Sequence, residues 1–180
     1  MQDQDKLEIL LINIFGQENV KKNWDIAKDS ADLYERRDIY TPRLDFAIGP
    51  FNITRSVEEN LRQINENYRR HSIIKDLTRR CNMELDANFN KNPRCFIAIE
   101  IENRTSRKHR LGSMINAAAL GKIAIMVGAN NKVVESFKRL LNYLFYLDNV
   151  KKTRWAPKNI LLVEMKEFIE VLQHAASSQK

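Results

Sequence analysis

Two apolar runs with the composition of buried strands flank a helical segment, and their order constrains the fold of this chain most strongly. The runs "CFIAIEIE" (95–102) and "IAIMV" (123–127) enclose a segment with helical spacing, from about Ser106 to Leu120. Buried strands that are joined by a helix indicate a parallel crossover. A helix over 132–147, a strand over 160–163 and a helix over 164–174 continue the alternation. We therefore expect an α/β fold, with a mixed central sheet flanked by helices.

The first third of the chain is expected to be mostly helical, with one strand. Apolar residues at helical spacing between Asp5 and Arg37, interrupted at Gly16, predict two helices. The alternating segment "RLDFAI" (43–48) predicts a strand that a Gly49-Pro50 turn ends. In this strand Asp45 faces away from the apolar side chains.

A long helix is expected to begin at Ser56, a candidate N-cap, and its apolar stripe loses phase between Tyr68 and Ile74. This change of phase predicts a bend or a second helix. The asparagine-rich segment that ends at Pro93 predicts a loop.

Length and composition favour one domain. A chain of 180 residues that is 43% hydrophobic can bury one core and is short for two. We divide this domain into N-terminal helices (1–39), a core that carries the site (40–128) and a C-terminal helix-strand-helix (129–180).

The charge and cysteine content favour a basic cytoplasmic protein that binds a polyanion. The formal net charge of +7 makes nucleic acid the leading partner, although many proteins are basic without binding it. Cys81 and Cys95 are not expected to form a disulfide, and no secretory leader is recognised, so a reducing compartment is the default. The apolar run "LEILLINIF" is short of a membrane span, so no membrane association is expected.

Two carboxylates, Glu100 and Glu102, share one face of an otherwise apolar strand. Like charges at this spacing repel, and burying them costs several kcal/mol, roughly, without compensation. Either the basic residues that follow or a divalent metal supplies the compensation, with Asp45 as a third ligand. Mg²⁺ suits such a set, since it prefers carboxylate oxygens and water. The alternative is that both glutamates face solvent on an edge strand and pair with arginines.

The order "YTPRLDFAIGP", helix, "FIAIEIEN", helix, strand resembles the PD-(D/E)XK nuclease superfamily, which has the restriction-endonuclease-like fold. The resemblance covers Tyr40 to Gly128. It implies that Asp45 and Glu100 are the two metal-binding acids. Glu102 departs from the pattern because it stands at the position of the family's lysine.

The resemblance implies a role for each residue of the motif. Asp45, Glu100 and the carbonyl of Ile101 would bind Mg²⁺ or Mn²⁺. Glu102 would be a further metal ligand or a general base for the attacking water. Lys108 would supply the positive charge that the motif otherwise lacks.

Two basic segments are candidates for contacts with nucleic-acid phosphates. The first surrounds the start of the helix after the "IEIE" strand, where an N-terminus favours anions: Arg104, Ser106, Arg107, Lys108 and Arg110. The second is a loop in which an aromatic side chain stands among cations: Lys151, Lys152, Arg154 and Trp155. The alternatives are a solvated positive face in the first case and a tryptophan that packs on the core in the second.

Together these features predict a divalent-metal-dependent DNA nuclease, of a kind that often acts as a homodimer. Two alternatives stay open. The chain could be a nucleic-acid-binding or interaction protein that keeps the fold without catalysis, or a nuclease-fold subunit of a larger complex.

Overall fold

One mixed sheet of five strands organises the part of the chain that the structure describes. The structure is a computed structural model; it describes residues 2–29, 42–53, 57–103 and 107–178, with the backbone alone at positions 2, 3, 57, 107 and 108. The strands lie side by side in chain order: β1 Val20–Asp25, β2 Arg43–Phe51, β3 Cys95–Glu102, β4 Gly121–Gly128 and β5 Ile160–Glu164. Antiparallel pairing joins β1 to β2 and β2 to β3, whereas β3, β4 and β5 are parallel.

Helices cover both faces of this sheet. They are α1 Gln2–Phe15, α2 Ile26–Asp29, α3 Val57–Arg70, α4 Ser72–Cys81, α5 Arg107–Leu120, α6 Asn131–Asn149 and α7 Met165–Ser177. The predicted α/β class, with a mixed sheet flanked by helices, is therefore confirmed.

Side-chain alternation along the central strands divides the core into two clusters. Ile97 and Ile99 of β3 project to one face, where they join apolar residues of α1, α3, α4 and α7. Ala98 projects to the opposite face and joins Met114 and Ala117 of α5, together with residues of α6. Because both faces are covered, β3 and β4 are almost continuously apolar, which is typical of parallel strands.

The N-terminal region departs from its prediction. Helix α1 ends at Phe15, as the break at Gly16 predicted, but the predicted second helix is present only as α2 over Ile26–Asp29, and the residues directly before α2 are not helical. Val20–Asp25 instead forms β1, which pairs with β2 at the edge of the sheet and buries only Val20 and Trp24. The two buried residues are four positions apart, which also suits one face of a helix. Only the pairing with β2 therefore distinguishes a strand from a helix in this segment. The predicted continuation over residues 30–37 lies outside the described residues.

The Gly49-Pro50 pair does not end β2, contrary to the prediction. The strand continues to Phe51, and its register with β3 shifts between Ile48 and Phe51. Proline donates no backbone hydrogen bond, so such an irregularity accommodates it within a strand.

The remaining elements follow the predictions closely. The phase change after Tyr68 separates two helices, α3 and α4, and no helix or strand occurs between Asn82 and Arg94. Both cysteines are free thiols. Within the described ranges, no helix has the length and apolar character needed to cross a membrane.

Candidate active site

Asp45 of β2 and Glu100 of β3 are neighbours across the antiparallel strand pair. Phe46 pairs with Ile99 and Ala47 with Ala98, so this register sets Asp45 opposite Glu100 when it is continued by one residue. Asp45 lies two residues from Ala47, and Glu100 lies two residues from Ala98. Both alanines belong to the core cluster under α5 and α6, so the two acids lie on that face of the sheet. The structure therefore brings these two acids together, and their role as metal ligands stays a prediction.

The backbone of β3 also contacts Asp45. The Ile101 amide donates a hydrogen bond of 2.7 Å to Oδ2 of Asp45. The regular pairing of β2 with β3 ends at Phe46 and Ile99. Beyond it, the Ile101 amide bonds to the Asp45 side chain and not to the backbone of β2. Since the N–H and C=O of one residue in an antiparallel ladder point to the same side, the Ile101 carbonyl also faces β2.

Burial makes Glu100 a carboxyl group that keeps its proton. The residue is only 8% exposed. Burial, with the negative charge of Asp45, a hydrogen bond to Asp45 and the charge of Glu102 in addition, raises the pKa of Glu100 to about 9. Burial also raises the pKa of Asp45, while the Ile101 amide and the hydrogen bond from Glu100 oppose this rise. At neutral pH Glu100 therefore donates a hydrogen bond to the Asp45 carboxylate.

Glu102 lies at the last position of β3 and is half-buried. Its negative charge raises the pKa of both Asp45 and Glu100, so it lies within electrostatic reach of the pair. However, no group of three or more histidine, cysteine, aspartate or glutamate side chains converges as a metal site among the described residues. The structure thus brings two of the three predicted acids together and leaves the third beside them.

The alternative that both glutamates lie exposed on an edge strand is wrong. β3 is the third of the five strands, with β2 on one side and β4 on the other. Glu100 is buried and Glu102 half-buried, because α5 and α6 cover this face.

The basic segment after β3 is described only in part. Arg104 and Ser106 lie outside the described residues, and Arg107 and Lys108 are described as the backbone of the first turn of α5. Arg110 is 4% exposed and lies one turn before the buried Met114, on the side of α5 that faces the sheet. Arg110 is therefore a buried cation on the same face as the carboxyl pair and not a surface contact.

The second basic segment lies at the opposite end of the sheet. The loop that carries Lys151, Lys152 and Arg154 precedes β5, whereas Glu100 and Glu102 end β3, and these strands are parallel. The three cations are exposed. The structure does not bring them together with the carboxyl pair.

Trp155 in this loop is half-buried. Its ring contacts that of Phe89, with centroids 5.8 Å apart, and it packs against the core cluster under α5 and α6. This packing favours a structural role for the tryptophan over base stacking.

Sequence reasoning missed the Ile101 amide and the proton on Glu100. The alternation of side chains along a strand predicts which face of the sheet each one occupies. It does not predict where a backbone amide bonds to a side chain of the neighbouring strand, or how deeply a carboxyl group is buried. The signal that existed was the apolar residue on either side of Glu100. Comparison of the chain with models of protein families, with curated proteins and with solved structures finds no match.

Proposed function

We propose that this chain is a divalent-metal-dependent nuclease that hydrolyses phosphodiester bonds in DNA, with Asp45 and Glu100 as its metal-binding acids. The observation that carries the proposal is the buried carboxyl pair on neighbouring strands, in which burial and mutual repulsion raise the pKa of Glu100 to about 9. Such a pair costs folding free energy as two carboxylates, and a bound cation would offset the repulsion in place of the shared proton.

The donor set fits Mg²⁺ or Mn²⁺. These ions take one or two carboxylates together with water and substrate phosphate, so a third protein carboxylate is not needed. The Ile101 carbonyl, which faces β2 beside Asp45, is a further oxygen donor of the right type. When bound, the ion would lower the pKa of a water molecule and offset charge that develops on the scissile phosphate.

The remaining roles fall to residues around the pair. Glu102 lies beside the two acids without joining a group of three, so we assign it as the general base that accepts a proton from the attacking water. Arg110, buried on the same face, contributes the positive charge that the absent lysine would give. Lys108 stays a candidate for the same role, at the first turn of α5.

A non-catalytic DNA-binding protein is the second candidate, and two observations favour it. Glu100 and Asp45 already satisfy each other through one proton, and Glu102 stands where the resembled family has lysine. A protein of this kind would bind DNA without metal-dependent cleavage. A nuclease-fold subunit would show activity only with its partner.

DNA is the proposed partner, and a homodimer is the proposed assembly if both strands of a duplex are cut. The net charge of +7 supports attraction to a polyanion. Two free thiols are compatible with the proposed cytoplasmic location.

A cleavage assay tests this proposal. Purified protein is incubated with single-stranded, double-stranded and branched DNA, with Mg²⁺, with Mn²⁺ or with a chelator. We expect cleavage that requires metal, that Asp45→Asn abolishes and that Asp148→Asn leaves intact, since Asp148 lies at the far end of α6. Failure to cut any of these substrates, or equal cutting by Asp45→Asn, would contradict the proposal.

A further inference from the structure

Lys122, the second residue of β4, is a largely buried residue whose ammonium has no partner among the described residues. The residue is only 6% exposed, in a strand that is buried along its whole length. Its ammonium forms no hydrogen bond or ion pair within the described part of the chain, and only the charge of Asp86 favours its charged form. Asn159 Oδ1 is the one buried side-chain nitrogen or oxygen without a hydrogen-bond partner among the described residues, so the Lys122 ammonium is reached by solvent and is open to a ligand.

The Lys122 side chain lines an open cavity of about 710 Å³ at the amino end of β4. Helix α3 contributes Tyr68 and Arg69 to its walls, and the loop between α4 and β3 contributes Asp86 and Lys91. This volume lies in the range of small-molecule sites.

The charge balance of the cavity favours an anion. Three cations from three different elements, Arg69, Lys91 and Lys122, face one carboxylate, that of Asp86. Asp86 is engaged in the turn of its own loop, where its Oδ1 accepts a hydrogen bond of 2.9 Å from the Asn88 amide. Its backbone amide donates to the Lys158 carbonyl at 2.8 Å, which fixes the loop against the segment before β5.

We propose that this cavity binds a phosphate monoester, with the ammonium of Lys122 on its β4 wall and Arg69 and Lys91 at its rim. A dianionic phosphate offers the acceptor oxygens that Lys122 lacks, and a guanidinium and ammonium groups bind phosphate through charge-assisted hydrogen bonds. The ring of Tyr68 gives the wall a surface on which a base can stack. The phosphate could be that of a free nucleotide or the 5′ end of a nucleic acid.

This site is separate from the carboxyl pair. Glu100 pairs in register with Met126, four residues beyond Lys122 along β4, which corresponds to roughly 13 Å of strand. The exposed cations Lys151, Lys152 and Arg154 lie in the loop at the same end of the sheet as the cavity, and the contact of Phe89 with Trp155 joins the two loops. The phosphate site does not depend on the proposed nuclease activity, and the nuclease activity does not depend on the phosphate site.

Calorimetric titration with adenosine 5′-monophosphate, and with adenosine as the unphosphorylated control, tests the proposal. We expect the wild type to bind the monophosphate and not adenosine. Lys122→Met, which keeps the length of the buried side chain, should weaken the affinity by about tenfold or more. Lys91→Gln is on an exposed loop and keeps the test valid if the buried substitution prevents folding.

The matched control is Lys166→Gln, an exposed lysine on α7, which should change the affinity by less than about twofold. Equal binding of adenosine and its monophosphate, or an affinity that neither Lys122→Met nor Lys91→Gln reduces, would overturn the proposal. An oligonucleotide with and without a 5′-phosphate identifies the source: tighter binding of the phosphorylated strand than of the mononucleotide points to a nucleic-acid end, and the opposite order points to a free nucleotide.

Discussion

Glu100 of β3 donates a hydrogen bond to Asp45 of β2, so two acids that would repel each other as carboxylates are joined by one proton. The neighbouring amide of Ile101 fixes Asp45 from the backbone. Under the proposed function the pair would have two states, one with the shared proton and one in which a cation replaces it. Most of the behaviour that we expect of this protein follows from the exchange between these states.

Stability should decrease as pH rises, and Glu100→Gln should remove most of this dependence. The pKa of Glu100 is about 9 in the folded protein against an ordinary value of 4.5, so its contribution is complete below pH 4.5 and is lost as pH rises through about 9. The slope for one proton is about 1.4 kcal/mol per pH unit at most. The glutamine amide can still donate to Asp45 but does not titrate. Urea unfolding at several pH values measures both proteins.

The raised pKa of Asp45 adds a change of the same sign, so the variant is not expected to be entirely flat. The matched control is Glu135→Gln, an acid on α6 whose side chain is 45% exposed and pairs with Lys138. If the free energies of unfolding of the wild type and Glu100→Gln differ by the same amount at every pH between 4.5 and about 9, Glu100 is not protonated in the folded protein.

Substitution of Glu102 separates catalysis from metal binding. If Glu102 is the general base, Glu102→Gln should lower kcat by about 10²–10⁴-fold and leave the affinity for Mn²⁺ close to that of the wild type. Glu102→Lys should retain more activity than Glu102→Gln, because lysine is the residue of the resembled family at this position. Single-turnover cleavage kinetics measure the first effect and calorimetry the second. Full activity of Glu102→Gln would exclude the role as base.

Two glycine substitutions test the packing that positions β3. A Cβ on Gly121 would lie 2.5 Å from the Ile123 carbonyl oxygen and 2.8 Å from the Ala98 Cβ, both in the core of the sheet. Gly121→Ala should therefore destabilise the protein by about 1–3 kcal/mol. Gly112 of α5 has nothing within 4 Å of the added carbon, so Gly112→Ala should stabilise the helix by about 0.5–1 kcal/mol. Thermal unfolding of the two variants checks the opposite signs.

Much of the fold could be predicted because the central strands and helices carry strong local patterns. β3 begins and ends where its apolar run does, and α5, α6 and α7 follow their helical spacing within a few residues. β1 could not be predicted, since its polar residues are stabilised by pairing with a distant segment. The spacing of Val20 and Trp24 fits a helix as well as a half-buried edge strand. The pairing of this segment with β2 determines that it forms a strand.

The site was predictable to the level of strand faces. The alternation of side chains placed Asp45 and Glu100 on the face opposite the large apolar residues of their strands. The antiparallel register of β2 and β3 then makes them neighbours. The burial of Arg110 and Lys122 was not predictable in the same way, because long cationic side chains are ordinarily expected at the surface. Lys122 also precedes the apolar run 123–127 from which this strand was predicted, so it had the position of an ordinary charge at the start of a strand.

Titration of the purified protein with Mn²⁺ by calorimetry tests the central claim most directly, that Asp45 and Glu100 form a metal site. We predict binding that releases a proton and that strengthens by up to about tenfold per pH unit between about pH 6 and pH 8, since the pKa of Glu100 is about 9. Asp45→Asn should abolish this binding and Asp148→Asn should preserve it. No binding by the wild type, or equal binding by Asp45→Asn, would contradict the account.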